Sequence, residues 1–380
     1  MVKNRSSGRF LSPPTVGFFW SSGKLSGAEK RLLSTVEALN ASGQPALTFL
    51  DRRDATRIGN LDHPHLVVYD LPKSSKACSF IQKRFPQANM GRYLRQCEMA
   101  AAKRFMRRLL RSHGVKVAHI SMSTKLPTMI PVPAVFEVTS PDWVDRILND
   151  DEILPAKMPL NAVSTALAER LRSALQDRQV FVNPGLFPNV RPQDVRQLDI
   201  NAKKNLIVFA HRLIPRKNGV LFAEAVKEFL THREDWRVLI RGRGPDLEKI
   251  LSLLGPEIRS GAVDVGFESD LAETLSESKI FVSLIEPNNF PSQSVLEALT
   301  YGNALVMSKS GDGESSFLAG NGLLVDLNPV SVAEGLLKLT DNGSSLTKMA
   351  HASRRLSLSR FSREDTLLHL KNIFKIILGS

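Results

Sequence analysis

The chain has 380 residues, 42% of them hydrophobic, 7% aromatic and 23% charged, with a net charge of +13. That length exceeds one ordinary core and the composition is that of a globular protein, so two folded domains are expected and a disordered or fibrous chain is excluded. No apolar run approaches the roughly 20 residues that span a bilayer, the run Thr15–Trp20 is too short for the core of a signal peptide, and Cys78 and Cys97 give neither a disulfide framework nor a metal cluster, which together point to a reduced, cytoplasmic protein.

In chain order, Thr15 to Trp20 (TVGFFW) reads as a first strand, Ser21 to Ala28 as a Gly/Ser loop and Gly27 to Ala41 as a helix, with Ser26 and Glu29 at capping-box spacing. Strand, glycine loop and helix in that order open a doubly wound sheet and put Gly23 and Gly27 at its carboxyl edge. A plain βα turn is the alternative, because the full dinucleotide fingerprint is absent. Strands follow at Ala46 to Leu50 and Leu66 to Tyr69, then at Val115 to Ile120, Ala134 to Val138 and Gln179 to Val182, with a helix over Ala162 to Leu175.

Between Lys76 and Lys116 there are eleven Lys and Arg against Glu98 alone. Within this segment Arg92 to Arg111 reads as an amphipathic helix. Tyr93, Cys97, Ala101, Phe105 and Leu109 form its apolar stripe, and Arg104, Arg107, Arg108 and Arg111 lie off it. The plain reading is a core-packed helix with a solvated basic face; the functional one is a patch for an anionic membrane surface or an acceptor, each basic residue contributing about 1 kcal/mol at such a surface. Nucleic acid is not expected as a partner, since no recognition motif or aromatic platform accompanies the charge.

Leu186 to Lys204 is rich in Pro, Asn, Asp and Gln and reads as a linker. The resulting division is 1–185 for a first Rossmann-like domain, 186–204 for the linker, 205–360 for a second, and 361–380 for a terminal helix that packs back on the first. The second series has strands at Asn205 to Ala210, Trp236 to Arg241, Val263 to Gly266, Ile280 to Leu284 and Ala304 to Ser308, alternating with helices up to Val330 to Leu339. The expected class is α/β, with two doubly wound domains facing each other across a cleft.

Chemistry concentrates in the second series. Phe281 to Gly302 (FVSLIEPNNFPSQSVLEALTYG) is a buried strand, a Pro/Asn turn and a helix starting near Pro291 or Ser292. Ser292 and Ser294 stand at a helix start, where unpaired N–H groups attract phosphate. Glu297, one to two turns on, offers a carboxylate to two neighbouring hydroxyls. Arg212 and Lys217 lie in AHRLIPRKNG, straight after a strand and at the sheet edge where ligands bind, and can neutralise a diphosphate. Near the same edge fall Gly242-Arg243-Gly244-Pro245 and Gly266-Phe267, turns where backbone can approach a flat base.

Taken together, AHRLIPRKN, LIRGRGPDLEKI, VDVGFESDLAETLSESKIFVSL, FPSQSVLEALTYGNALVMS and GNGLLVDLNPVSVAEGLL resemble, in order, glycosyltransferase family four, and SGAEKRLLSTVEALNASG resembles that family's first glycine loop and helix. The resemblance implies a GT-B fold and retaining transfer from a nucleotide-diphosphate sugar. It implies that Arg212 and Lys217 bind the donor diphosphate, that Ser294 and Val295 meet phosphate through backbone N–H groups, and that Glu297 holds the ribose. It also implies that Gly27 faces the donor and that Phe267, with the Gly242 turn, lies at the base. The family's first glutamate falls at Asn289, with Asn288 and Glu286 as neighbouring candidates. Its first-domain His is missing from FEVTSPD, leaving His119 after the preceding strand.

The expectation is therefore a glycosyltransferase acting on a glycan or lipid-linked acceptor, in cell-envelope or exopolysaccharide assembly at the inner face of a membrane. No cofactor and no metal are expected, since no Asp-x-Asp or His/Cys ligand spacing occurs. A non-catalytic protein of the same fold that binds nucleotide sugar or glycan is the alternative, motivated by Asn289 and the missing His.

Overall fold

The computed structural model describes residues 13–379 apart from 23–26, 60, 73–90, 151, 184–185, 191–194, 196–198, 288–289, 310–315 and 342. The chain packs as two compact units. Met1–Val182 together with Leu367–Ser380 form the first, and Asn183–Thr366 form the second.

The first unit contains β1 (Thr15–Trp20), β2 (Ala46–Asp51), β3 (Leu66–Tyr69), β4 (Val115–Ser121), β5 (Ala134–Val138), β6 (Leu160–Ala162) and β7 (Val180–Val182). They pair in the order β3-β2-β1-β4-β5-β6-β7, every pairing parallel. Apolar residues such as Val16, Phe18, Phe19, Val117, Ile120, Val135 and Phe136 are buried along the central strands, as a sheet covered on both faces requires. Within this unit the last helix, Arg363–Leu378, sets Phe374 edge-on to Phe18 at 6.3 Å.

The same sheet face carries a polar core that composition does not reveal. Ser121, Glu137 and Asn161 stand in one row across β4, β5 and β6. Arg31, from helix Gly27–Ala41, donates Nη1 and Nη2 to the two Glu137 oxygens at 3.0 and 2.6 Å, and Ser121 Oγ donates to the same carboxylate at 3.2 Å. Asn161 Oδ1 meets Nε2 of His369, on the last helix, at 3.0 Å.

The second unit contains β8 (Lys204–Ala210), β9 (Arg237–Arg241), β10 (Val263–Gly266), β11 (Ser278–Ser283), β12 (Ala304–Ser308) and β13 (Gly322–Val325). Their order is β10-β9-β8-β11-β12-β13, again all parallel. Ile207, Phe209, Phe222, Phe229, Ile240, Val282 and Leu336 share its core. The stretch 186–204, which reads as a linker, groups with this unit, and among its described residues Leu186, Phe187 and Ile200 are buried.

Helix Gly91–Ser112 buries Ala102, Met106 and Leu110, one position round from the expected stripe. Ala101, Phe105 and Leu109 form the half-buried shoulder, and Tyr93 lies outside the described side chains. Arg104, Arg107, Arg108 and Arg111 are all exposed. Among the described residues no helix is long and apolar enough to cross a membrane.

Candidate functional site

In the second sheet, β8 and β11 are adjacent, Ile207 opposite Ile280 and Phe209 opposite Val282. From β8 the chain continues to β9 on one side, and from β11 to β12 on the other. The strand order therefore reverses between β8 and β11, and loops that diverge at such a point leave a crevice beyond the carboxyl ends.

One wall is the loop after β8. A short 3₁₀ turn, Pro215–Lys217, ends at Asn218, whose φ of +55° is left-handed. Asn tolerates that backbone better than most residues, and here its side-chain Nδ2 donates to Leu284 O at 2.7 Å, tying the loop to the exit of β11. Glu286 N donates to Arg216 O at 3.1 Å and makes the second tie.

This clipped loop presents three cations. Arg212 and Arg216 are exposed and Lys217 is half-buried. Burial first, then the charges of Arg216 and Arg212, hold the Lys217 ammonium down to about 7. Among the described residues no carboxylate lies within ion-pair reach of any of the three. Like charges crowded without a counter-ion oppose folding, and an anion in the crevice relieves them.

The facing wall is helix Gln293–Thr300. Ser292 is its N-cap in extended backbone and its side chain makes no capping bond, so the first-turn N–H groups, those of Ser294 and Val295 included, are left without intrahelical partners. Val295, Leu296, Ala298 and Leu299 are buried, whereas Gln293, Ser294 and Glu297 share the half-buried face. Ser294 Oγ lies 3.4 Å from Nδ1 of His211, and Nε2 of the same ring lies 3.3 Å from Val282 O.

His211 is the site residue that sequence reading passed over. Its ring is set edge-on between Phe209 and Phe281, and burial, then Lys217, depress its pKa well below the usual range. It is neutral, so Nε2–H donates to Val282 O and Nδ1 accepts from the Ser294 hydroxyl. That orientation turns the lone pairs of Ser294 Oγ, not its proton, away from the ring.

Further along the same edge, Gly242 N donates to Gly266 O at 2.8 Å and Leu213 N to Arg243 O at 2.9 Å, so the loops after β8, β9 and β10 lie side by side. A Cβ on Gly242 would stand 1.9 Å from His211 O. The glycine is therefore required by loop-on-loop packing, before any ligand is considered. Phe267 follows β10 with 51% of its surface exposed, and the Arg243 guanidinium stacks 4.0 Å from its ring centroid.

The structure brings Arg212, Lys217, Ser294, Val295 and Glu297 to the β8/β11 switch point and puts Gly242 and Phe267 on the same edge. Glu286 is exposed on the β11 exit loop; Asn288 and Asn289 fall outside the described residues, as do Gly23 and Ser26. Gly27 begins helix Gly27–Ala41 in the other unit.

His119 requires a correction. It is 1% exposed and stacks on Phe18 at 4.8 Å, and burial, against the pull of Glu137, lowers it to about 4. Its strand runs through the centre of the sheet, so the ring is neutral core with no path to a sugar.

Two such all-parallel sheets are those of the GT-B fold, and comparison of structures agrees. The glycosyltransferase from Rickettsia africae ESF-5 matches with a TM-score of 0.71 at 15% identity, over 97% of this chain and 100% of that one. Anabaena Alr3699/HepE, in complex with UDP and glucose, matches with a TM-score of 0.69 at 14% identity, over 96% and 100%. The pneumococcal O-GlcNAc transferase GtfA, in complex with UDP and GlcNAc, matches at 0.70 and 11%, over 97% and 100%. No curated protein matches the sequence. Residues 190–356, which fall within the second unit, match the family model of the glycosyl transferases group 1.

Proposed function

We propose that the protein transfers a sugar, with retention at the anomeric carbon and without a metal ion, from a nucleotide-diphosphate donor to a glycan or lipid-linked acceptor in cell-envelope or exopolysaccharide assembly. The observation that carries the reading is the trio Arg212, Arg216 and Lys217, without a carboxylate in ion-pair reach among the described residues and clipped beside the open start of helix Gln293–Thr300. Proteins of similar fold bound to UDP and glucose or to UDP and GlcNAc support the donor class.

In this reading Arg212 and Lys217 hold the diphosphate through charge-assisted bonds, and the N–H groups of Ser294 and Val295 meet its oxygens. Glu297, one turn along the same helix face, accepts the ribose hydroxyls, and the base lies by Phe267 and the Gly242 turn. As the bond from the sugar to the diphosphate breaks, negative charge grows on the leaving oxygen. Cations and N–H groups already fixed there stabilise it without reorganising, in place of a divalent ion. The acceptor hydroxyl attacks the face the diphosphate leaves and gives its proton to the departing oxygen. Arg212→Ala and Glu297→Ala are each expected to weaken UDP-glucose roughly tenfold to a hundredfold, at about 1.5–3 kcal/mol per charge-assisted bond. Wild-type affinity in both variants, by calorimetry, would sink the assignment.

A second reading, a donor-binding protein without turnover, is favoured by the burial of His119 and by Asn289 in place of a carboxylate. It predicts donor binding with neither transfer nor hydrolysis over a broad acceptor panel, and turnover that depends on Glu286 or Asn289 excludes it.

The exposed Arg104, Arg107, Arg108 and Arg111 suit an anionic membrane at the cytoplasmic face. Replacing all four with Gln is expected to abolish flotation with vesicles containing phosphatidylglycerol; flotation that persists rules the patch out.

A further inference from the structure

The carboxyl edge of the first sheet holds a cavity of about 390 Å³ that none of the residues above uses. Its walls come from the ends of β1 to β4 and from helix Pro141–Asn149 after β5. It flanks the β1/β4 boundary, where this sheet reverses its strand order.

Six charged side chains line it. Asp51 accepts Arg53 Nε at 2.9 Å, and Asp54 accepts Ser21 Oγ at 2.7 Å with Arg57 Nη1 at 3.9 Å. Each carboxylate is thus matched by one arginine. Lys125 and Arg146 remain, and among the described residues neither has a carboxylate within ion-pair reach, so the cavity carries two surplus positive charges. Arg146 lies over the Trp143 ring at 5.2 Å, which sets its guanidinium beside a flat apolar wall. Burial, then Asp51 and Asp54, push the Tyr69 phenol above its usual value, so it stays an O–H donor.

A further sign is Met122, whose φ of +54° is left-handed at the first position after β4. Side chains other than Gly and Asn rarely adopt that backbone, and such residues concentrate at ligand sites. Here it steers Ser123 to Lys125 along the cavity wall.

We propose that this cavity receives the acceptor and that the acceptor carries a phosphate, bound by Lys125 and Arg146 while its sugar ring or prenyl chain lies along Trp143. The inference rests on the reading of the protein as a sugar transferase and narrows its acceptor. A phosphomonoester carries about −1.5 to −2 at neutral pH, which matches the surplus; a carboxylate leaves one charge unmatched and a neutral glycan leaves both. The phosphate can belong to a soluble sugar phosphate or to a lipid phosphate.

Of the three tryptophans, Trp20 and Trp236 are 0% and 2% exposed, so acrylamide quenching of the full-length protein reports Trp143. Titration with glucose 6-phosphate or geranyl phosphate is expected to protect Trp143, with an affinity at least tenfold above that for glucose and above that for glucuronate. Each of Lys125→Gln and Arg146→Gln is expected to lower the phosphate affinity at least tenfold. Both side chains are exposed, so the variants fold. Geranyl phosphate binding tighter identifies a lipid-borne phosphate, and glucose 6-phosphate binding tighter identifies a soluble one. Equal affinity for glucose and the phosphates, glucuronate binding as tightly as they do, or Gln variants that bind like wild type, overturns the inference. A parallel titration with UDP separates the two claims. UDP binding without phosphate binding removes only this acceptor, whereas phosphate binding without UDP binding removes the donor reading.

Discussion

Lys217→Ala is expected to weaken UDP-glucose roughly tenfold to a hundredfold at pH 6 and far less at pH 8.5. In the free protein Lys217 titrates at about 7, held down by burial and then by Arg216 and Arg212. At pH 6 its ammonium is in place before the donor arrives. At pH 8.5 the side chain is neutral, and a proton must be taken up with the donor. One pH unit of such uptake costs about 1.4 kcal/mol, so the contribution of Lys217 shrinks as pH rises. Wild-type affinity therefore falls with pH above 7, by up to about one decade per unit, until the pKa of the bound state is reached. The stability of the free protein runs the other way. The unfolded chain keeps the lysine proton to about 10.4, so between 7 and that value the unfolded state binds more protons and stability rises with pH. Calorimetry in two buffers of different ionisation enthalpy, at pH 7.5, counts the proton directly. Affinity that is flat from pH 6 to 8.5, in wild type and variant alike, would show that Lys217 does not meet the donor's charge.

How much of this was legible depends on whether a residue's role is set by its neighbours in sequence or by partners far along the chain. Parallel strands buried on both faces are short apolar runs, and TVGFFW, LVVY, AVFEV and ALVMS gave their bounds directly. Arg212 and Lys217 were legible because a loop straight after a strand lies at the sheet's ligand edge, and Ser294 and Glu297 because a spacing of three puts both on one helix face. His211 was not, because its role comes from Val282 and Ser294, 71 and 83 residues away. Lys203 was read as part of a polar linker. Its ammonium is buried, donates to Leu275 O at 2.9 Å and Ser278 O at 2.7 Å, and is lowered by burial, then by Arg354, to about 7. Helix Gly343–Arg360 is not evident in the sequence because GSSLTKMAHASRRLSLSR carries five serines and a weak apolar stripe, and it is held by packing against helix Gln293–Thr300. The basic helix was right in kind but rotated by one residue. Both sets repeat every four residues, so spacing alone does not choose between them, and packing buried Ala102, Met106 and Leu110.

The most damaging single change expected in the first unit is Glu137→Ala, at about 3–5 kcal/mol. Burial alone would raise this carboxyl, yet Arg31, His119 and the Ser121 hydroxyl outweigh it and the group titrates below its usual value. With the carboxylate gone, the Arg31 guanidinium stays buried under helix Gly27–Ala41 with neither of its 3.0 and 2.6 Å acceptors. Removing both charges is far milder, since an apolar pair of similar volume has no ion to desolvate. Arg31→Met with Glu137→Leu is expected to recover most of the loss, a coupling that a double-mutant cycle measures. The same core sets the acid limit. His119 and His369 both titrate at about 4, burial being the first cause for each, against 6.5 when unfolded. Between those values the unfolded chain binds more protons, so stability falls as pH drops from 6.5 to 4, and below that the Glu137 contribution goes as well. Amide exchange in β4, β5 and the last helix follows both effects within this unit. Protection unchanged in Glu137→Ala, or independent of pH between 6.5 and 4, would mean that the ion pair and the two rings do not hold the core together.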